Sequence, residues 1–309
     1  MKSIVGLMIS VLCLNTLLFA APIKPIPNEI KVDEKKVQLG KKLFFDPILS
    51  KDGTISCATC HDLQNGGDDG LKFSFGIGGQ EGNINSPTVY NAVFNFRQFW
   101  DGRAKDLKEQ VSGPIENPVE MGHSMDLTVK VLQKNSLYVK EFNRIYADGI
   151  TDQNMADAIA EFEKALITPN SPFDKYLKGD QNAISEKAKE GYRLFESKGC
   201  ILCHHGVNVG GNFYNKFGIY KDANTSQLGR YNITKREEDK FVFKVPSLRN
   251  ISLTSPYMHD GRISTLKEAV ELMTKYQLGR HMELGDTEAI VAFLESLTGD
   301  LPEIVRVKQ

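Results

Sequence analysis

Ala158, Ile159, Phe162 and Leu166 recur at the spacing of one helix face, and the pattern returns at Ala289, Ile290, Phe293 and Leu297. Each set predicts an amphipathic helix that closes one part of the chain. Leu43-Phe44 and Leu194-Phe195 supply matching apolar pairs further upstream, and core packing accounts for all of these side chains. The stretches 62–86 and 206–245 are rich in Gly, Asn and Asp with weak periodicity, so they read as loops. Asn170-Ser171-Pro172 reads as a linker. At the start, Lys2 precedes an apolar run from Ile4 to Phe19 that exits through the small pair Ala20-Ala21 before Pro22. This reads as a secretory signal over residues 1–21, cleaved near Ala20, and the run is short for a retained membrane span.

The pattern is duplicated in loops as well as helices. Pro87-Thr88-Val89-Tyr90-Asn91 matches Pro246-Ser247-Leu248-Arg249-Asn250. Asp101-Gly102-Arg103 with Leu107-Lys108-Glu109 matches Asp260-Gly261-Arg262 with Leu266-Lys267-Glu268 at the same offset and without a gap. The expected organisation is therefore two domains, 22–170 and 171–309. A chain of 309 residues accommodates two domains of ordinary size.

Composition adds little until the cysteines are placed. The formal net charge is −1, so no global basic field points to nucleic acid or to an anionic membrane. Cys13 leaves with the signal, and the remaining four cysteines form two Cys-x-x-Cys pairs, each followed by histidine: Cys57-Cys60-His61 and Cys200-Cys203-His204. Paired thiols can hold a porphyrin through two thioethers while the adjacent histidine sits beneath the iron. A zinc site does not require histidine next in line both times, and a thioredoxin-type motif needs a βαβ context. The expectation is two covalent haem c groups in an all-α chain of two cytochrome c-like helical domains with long loops.

The useful differences lie where the copies disagree. Met273 follows the second DGR element, and its partner by the offset is Pro114, which cannot ligate a metal. A thioether opposite histidine favours ferrous iron, so the C-terminal haem is expected to be a six-coordinate electron-transfer centre; core filling is the alternative role for Met273, and Met258 is the next candidate ligand. The N-terminal haem has no aligned sixth ligand and leaves room for chemistry. Trp100, Gln110, Glu120 and His123 lie near it in sequence, with Trp100 equivalent to His259. By themselves they read equally as a buried aromatic and solvated surface.

Together with both haem motifs, Leu43-Phe44-Phe45-Asp46-Pro47, Asn85-Ser86-Pro87-Thr88-Val89, Gln98-Phe99-Trp100-Asp101-Gly102-Arg103, Val119-Glu120-Met121, Thr254-Ser255-Pro256-Tyr257 and His259-Asp260-Gly261 make the chain resemble the bacterial di-haem cytochrome c peroxidases. The resemblance covers nearly all of the mature chain. It implies a periplasmic homodimer that reduces hydrogen peroxide at the N-terminal haem. Electrons would come from a small cytochrome c or copper protein through the C-terminal haem with Met273. It further implies Trp100 as a relay between haems, Glu120 as acid/base and Gln110 as a distal orienting group. A calcium ion would take the Asn85 side chain and the backbone carbonyls of Thr254 and Pro256, an oxygen set suited to a hard cation.

One departure stands out. Many members of that family carry a histidine in the loop after the first motif that blocks the peroxidatic iron until the other haem is reduced, whereas Phe75-Gly76-Ile77-Gly78-Gly79 places Ile77 there. The expectation is a permanently open site, with His123 as the competing gate. Two other classes, a relative that builds a tryptophan-derived quinone and a non-enzymatic carrier, fit less well. The first replaces the methionine with tyrosine; the second needs both irons capped and no distal carboxylate.

Overall fold

The computed structural model describes residues 21–306. The expected signal therefore lies outside the described residues apart from Ala21. The chain is mostly helical and is built on two copies of one helix crossing. The first copy pairs an opening helix, Glu34–Phe45, with a closing helix, Asp152–Lys164; the second pairs Glu186–Ser197 with Leu284–Glu295. Three of the four begin at a side chain that satisfies orphan amides. Asp33 accepts from Lys35 and Lys36, Thr151 from Asn154, and Ser185 from Ala188.

Both crossings depend on glycine. A Cβ added at Gly40 would lie 1.9 Å from the Ala158 carbonyl oxygen, and one at Gly191 would lie 1.8 Å from that of Ala289. Only a hydrogen fits between the backbones there. Beside each glycine, aromatic rings lock the crossing: Phe44 meets Phe162 edge to face at 5.2 Å, and Phe195 meets Phe293 at 5.0 Å. Such pairs contribute about 0.5–1.5 kcal/mol beyond their buried area. The helical spacing in the sequence thus encodes the contact face of each crossing.

The duplication also persists in backbone conformation. Asn91 and Asn250 share left-handed φ values of 61° and 59°, Phe99 and Met258 share 69° and 74°, and Gly102 and Gly261 share 68° and 57°. The two asparagines do the same work. The Asn91 amide donates to the Leu166 carbonyl (2.9 Å) and that of Asn250 to Leu297 (3.3 Å), fastening each loop to the end of its closing helix. Their side-chain amides both donate to Thr168 Oγ1, at 2.7 and 2.9 Å, so the two halves meet there.

The all-α expectation needs one correction. Within 206–245, Tyr214–Lys216 pairs antiparallel with Val242–Lys244, with Tyr214 opposite Lys244. Three-residue strands are too short to produce a readable alternation, so the ribbon is invisible as a period-two pattern. It positions Phe243 and Lys244 at the boundary between the halves.

The linker is structural. Ser171 is fully buried and accepts from the Asp174 amide (3.0 Å), capping Pro172–Leu177. Asp174 forms a completely buried ion pair with Arg249 at 2.8 Å. Arg249 also donates to the carbonyls of Val207 (2.9 Å) and Lys24 (2.8 Å), so every side of the guanidinium has work. The chain ends trade places: Ile23 packs in the core of the second half, while Val305 packs with Phe44 and Phe162 of the first. Among the described residues no helix is long and apolar enough to cross a membrane.

Candidate active site

In the first half, Cys57–Cys60 is one short helical turn capped reciprocally by Ser56 and Thr59. The His61 amide donates to the Cys57 carbonyl (3.0 Å), which folds the imidazole back under the turn. His61 Nδ1 lies 3.2 Å from the Gly67 carbonyl oxygen, a partner that makes Nδ1 the donor and leaves Nε2 with its lone pair. Burial pushes this imidazole below its usual range, so it is neutral and able to ligate. Burial also raises the Cys57 thiol to about 12 and the Cys60 thiol to about 11.

The second half repeats the arrangement. Cys200–Leu202 forms a tight turn, and the His204 amide donates to the Cys200 carbonyl at 3.0 Å. His204 is buried, which pushes its imidazole down to about 4. A largely apolar cavity is lined by Cys200, Cys203, His204, Met258, Met273 and Leu294. Attachment thiols, proximal imidazole and both candidate thioethers thus share one cavity, as a covalent haem requires. Among the described residues, Cys57, Cys60, Cys200 and Cys203 form no disulfide. Met273 is carried by the helix Leu266–Gln277, whose start is secured by a capping box between Thr265 and Glu268.

Glu120 stands on a tight loop. Its amide donates to the Asn117 carbonyl (3.0 Å), and its carboxylate Oε1 accepts from Asn117 Nδ2 (2.6 Å). Burial raises the Glu120 carboxyl above the usual carboxylate range, against smaller opposing effects from Asn117 and the Arg103 guanidinium. After burial and the Asp69 charge, the Glu120 charge adds a smaller upward push on the Cys60 thiol. The Ile77 loop is pinned to the same turn. The Ile77 amide donates to the Glu120 carbonyl (2.8 Å), and a Cβ at Gly122 would lie 2.2 Å from Ile77 Cδ1. The aliphatic side chain therefore packs on the loop that carries the acid.

Gln110 ends the helix Leu107–Gln110 and is half-buried; its side chain makes no hydrogen bond among the described residues. His123 Nδ1 accepts from the Ser124 amide at 3.0 Å, and burial with the nearby Lys51 charge lowers that imidazole. That nitrogen is engaged at the start of the helix Met125–Lys134.

Trp100 joins the halves. Its Nε1 donates to the Asn85 carbonyl (2.9 Å), while the Asn85 amide donates to the His259 carbonyl (2.8 Å). The Trp100 carbonyl accepts from the Lys244 amide (2.7 Å). Asn85 Nδ2 donates to the Leu71 carbonyl (2.9 Å), leaving Oδ1 as the group free to bind a cation. Asn85, Thr254 and Pro256 line the same cavity, and the Thr254 and Pro256 carbonyl oxygens accept no hydrogen bond among the described residues. These three oxygens, without hydrogen bonds among the described residues, are of the type that calcium takes.

Besides the Arg249–Asp174 pair, buried charges at Lys244 and Glu163 escaped the sequence reading. Lys244 is 8 % exposed and lines the second cavity; Glu163 is 6 % exposed, has an unpartnered Oε2, and is pushed up to about 8 by burial. The repeat held a signal for both. Lys244 is equivalent to Asn85, and Glu163 is equivalent to Leu294, which lines the second cavity.

A sequence model of the family described as di-haem cytochrome c peroxidase matches residues 34–182. Cytochrome c551 peroxidase of Nitrosomonas europaea is 48 % identical over 285 residues, covering 91 % of this chain and 85 % of that protein. Cytochrome c peroxidase Ccp of Escherichia coli K12 is 48 % identical over 294 residues; these cover 93 % of this chain and only 63 % of that longer relative. Among solved structures, a MauG-like protein associated with microbial copper homeostasis superposes with a TM-score of 0.78 at 26 % identity, covering 92 % of this chain and 95 % of the other. With two Cys-x-x-Cys-His turns and this extent of identity, the chain belongs to the di-haem cytochrome c peroxidase family, a family of peroxidase oxidoreductases that carry two haem c groups.

Proposed function

We propose that this chain reduces hydrogen peroxide to water in its N-terminal half, using electrons that a small periplasmic donor delivers through its C-terminal half. The observation that carries this reading is Glu120, a partly desolvated carboxyl held by Asn117 in the electrostatic neighbourhood of Cys60. Cys57 and Cys60 would attach one haem and His61 would hold its iron; Cys200 and Cys203 would attach the other, with His204 and Met273 holding its iron. Bound haem supplies one-electron redox chemistry at iron.

The chain's own residues supply the protons and the path. Peroxide takes up two electrons and two protons to give two waters. Glu120 accepts a proton from one peroxide oxygen and returns it to the other, which a carboxyl with a raised pKa is suited to do. Gln110, with no internal partner, is available to orient peroxide or a water. Trp100 relays electrons across the boundary between two haem domains, 22–170 and 171–309. Ile77 leaves the peroxidatic side open, because a hydrocarbon cannot ligate iron. Calcium at Asn85, Thr254 and Pro256 would brace the backbone that holds the Trp100 indole. The donor is a small cytochrome c or copper protein, and the enzyme acts as a homodimer after export.

The direct test is Glu120→Gln. Peroxide turnover with a reduced cytochrome should fall about 10²–10⁴-fold while both haem spectra persist. Near-normal turnover would remove Glu120 from the proton path.

A further inference from the structure

The cavity of the second half contains a cation without an anion. Lys244 closes the strand Val242–Lys244, and its amide is fixed to the Trp100 carbonyl at 2.7 Å. The side chain is 8 % exposed and lines the space shared by Cys200, Cys203 and His204. Among the described residues no aspartate or glutamate pairs with it, although Lys36, Lys42, Lys108 and Lys164 each have a carboxylate partner. A buried ammonium is retained where an anion compensates it.

The duplication sharpens the point. Lys244 is equivalent to Asn85, and their backbones make reciprocal bonds: Lys244 N–H to the Trp100 carbonyl, Asn85 N–H to the His259 carbonyl. One half therefore places a neutral amide at this position and the other a positive charge. Haem c bears two propionates, and a propionate is an anion delivered to this cavity by the group that fills it.

We propose that Lys244 is the internal counter-ion for a propionate of the C-terminal haem and holds that haem's reduction potential up. Burial alone pushes the lysine down to about 8, so even without its anion it is mainly protonated at neutral pH. A fixed positive charge near the porphyrin favours the ferrous state, which has one positive charge fewer. The inference rests on haem attachment at Cys200 and Cys203. It adds a polar contribution to the potential beside that of the axial methionine.

The test is redox titration of Lys244→Met and Lys244→Arg holoprotein, each first weighed for two covalent haems. Lys244→Met should shift the ferrous-to-ferric ratio of the C-terminal haem about tenfold toward ferric at a fixed potential, a fall of about 59 mV for one electron. Lys244→Arg should stay near the parent. Infrared redox-difference spectra with labelled propionates should show a carboxylate band altered in Lys244→Met only. An unchanged potential in Lys244→Met, equal falls in both variants, or identical propionate bands would each overturn the proposal. If Lys244→Met yields no holoprotein, Lys244→Gln is read by the same criteria. Loss of one haem from the parent's mass would instead defeat the attachment reading.

Discussion

The indole of Trp100 and the imidazole of His259 occupy equivalent positions of the two halves and meet edge to face, with ring centroids 6.2 Å apart. His259 is also stacked on Phe243 at 4.3 Å, and burial pushes it down to about 4, so it is a neutral aromatic element at neutral pH. Together these rings bridge the boundary that the proposed electron transfer would cross. Trp100→Ala should slow transfer between haems while leaving peroxide access intact. Rapid-mixing absorbance should resolve the two phases, and equal transfer rates in variant and parent would remove Trp100 from the path.

Glu120 should set the acidic limb of the activity profile. Its carboxyl is raised above the ordinary glutamate value of about 4.3 by burial, and under the proposed mechanism the base form accepts the first proton. Activity at limiting peroxide should therefore be lost as pH falls through this raised pKa and recover above it. The limb should be absent from the residual activity of Glu120→Gln. An unchanged limb in the variant would assign it to another group.

Met273 and Met258 both line the cavity that holds His204. Met258 has a left-handed backbone (φ 74°) shared with Phe99, its equivalent, so turn geometry accounts for its placement; Met273 projects from a regular helix. Replacing Met273 with leucine should lower the higher haem potential and abolish any absorbance band that depends on a thioether bound to ferric iron. Retention of both properties would transfer the role to Met258.

The buried pair of Arg249 and Asp174 should dominate stability at the junction. Arg249→Met would leave the Asp174 carboxylate uncompensated and also remove bonds to Val207 and Lys24. The expected cost is about 3–5 kcal/mol, measured by denaturant unfolding of the holoprotein. A loss below about 1 kcal/mol would show that the site repacks.

Much of this architecture was legible because duplication lets one half annotate the other. The spacing of Phe162 and Phe293 predicts the closing helices, and the constant offset makes Trp100 equivalent to His259. Other features were hidden for physical reasons. The ribbon at Tyr214–Lys216 is too short to show periodicity, and Ser171 looked like linker because its burial depends on Arg249, far away in sequence. Lys244 and Glu163 carry charges that composition assigns to solvent; the repeat sets them against Asn85 and Leu294, and packing buries them.

The central claim is an open iron in the first half beside a capped iron in the second. It rests on Ile77, whose side chain packs against Gly122 beside the acid-bearing loop, and on His123, whose Nδ1 accepts from Ser124. Electron paramagnetic resonance of the fully oxidised protein tests it most directly. The account predicts one high-spin and one low-spin ferric signal, with Ile77→His converting the first to low spin. Two low-spin signals in the parent, one becoming high spin in His123→Ala, would contradict it and place the gate at His123.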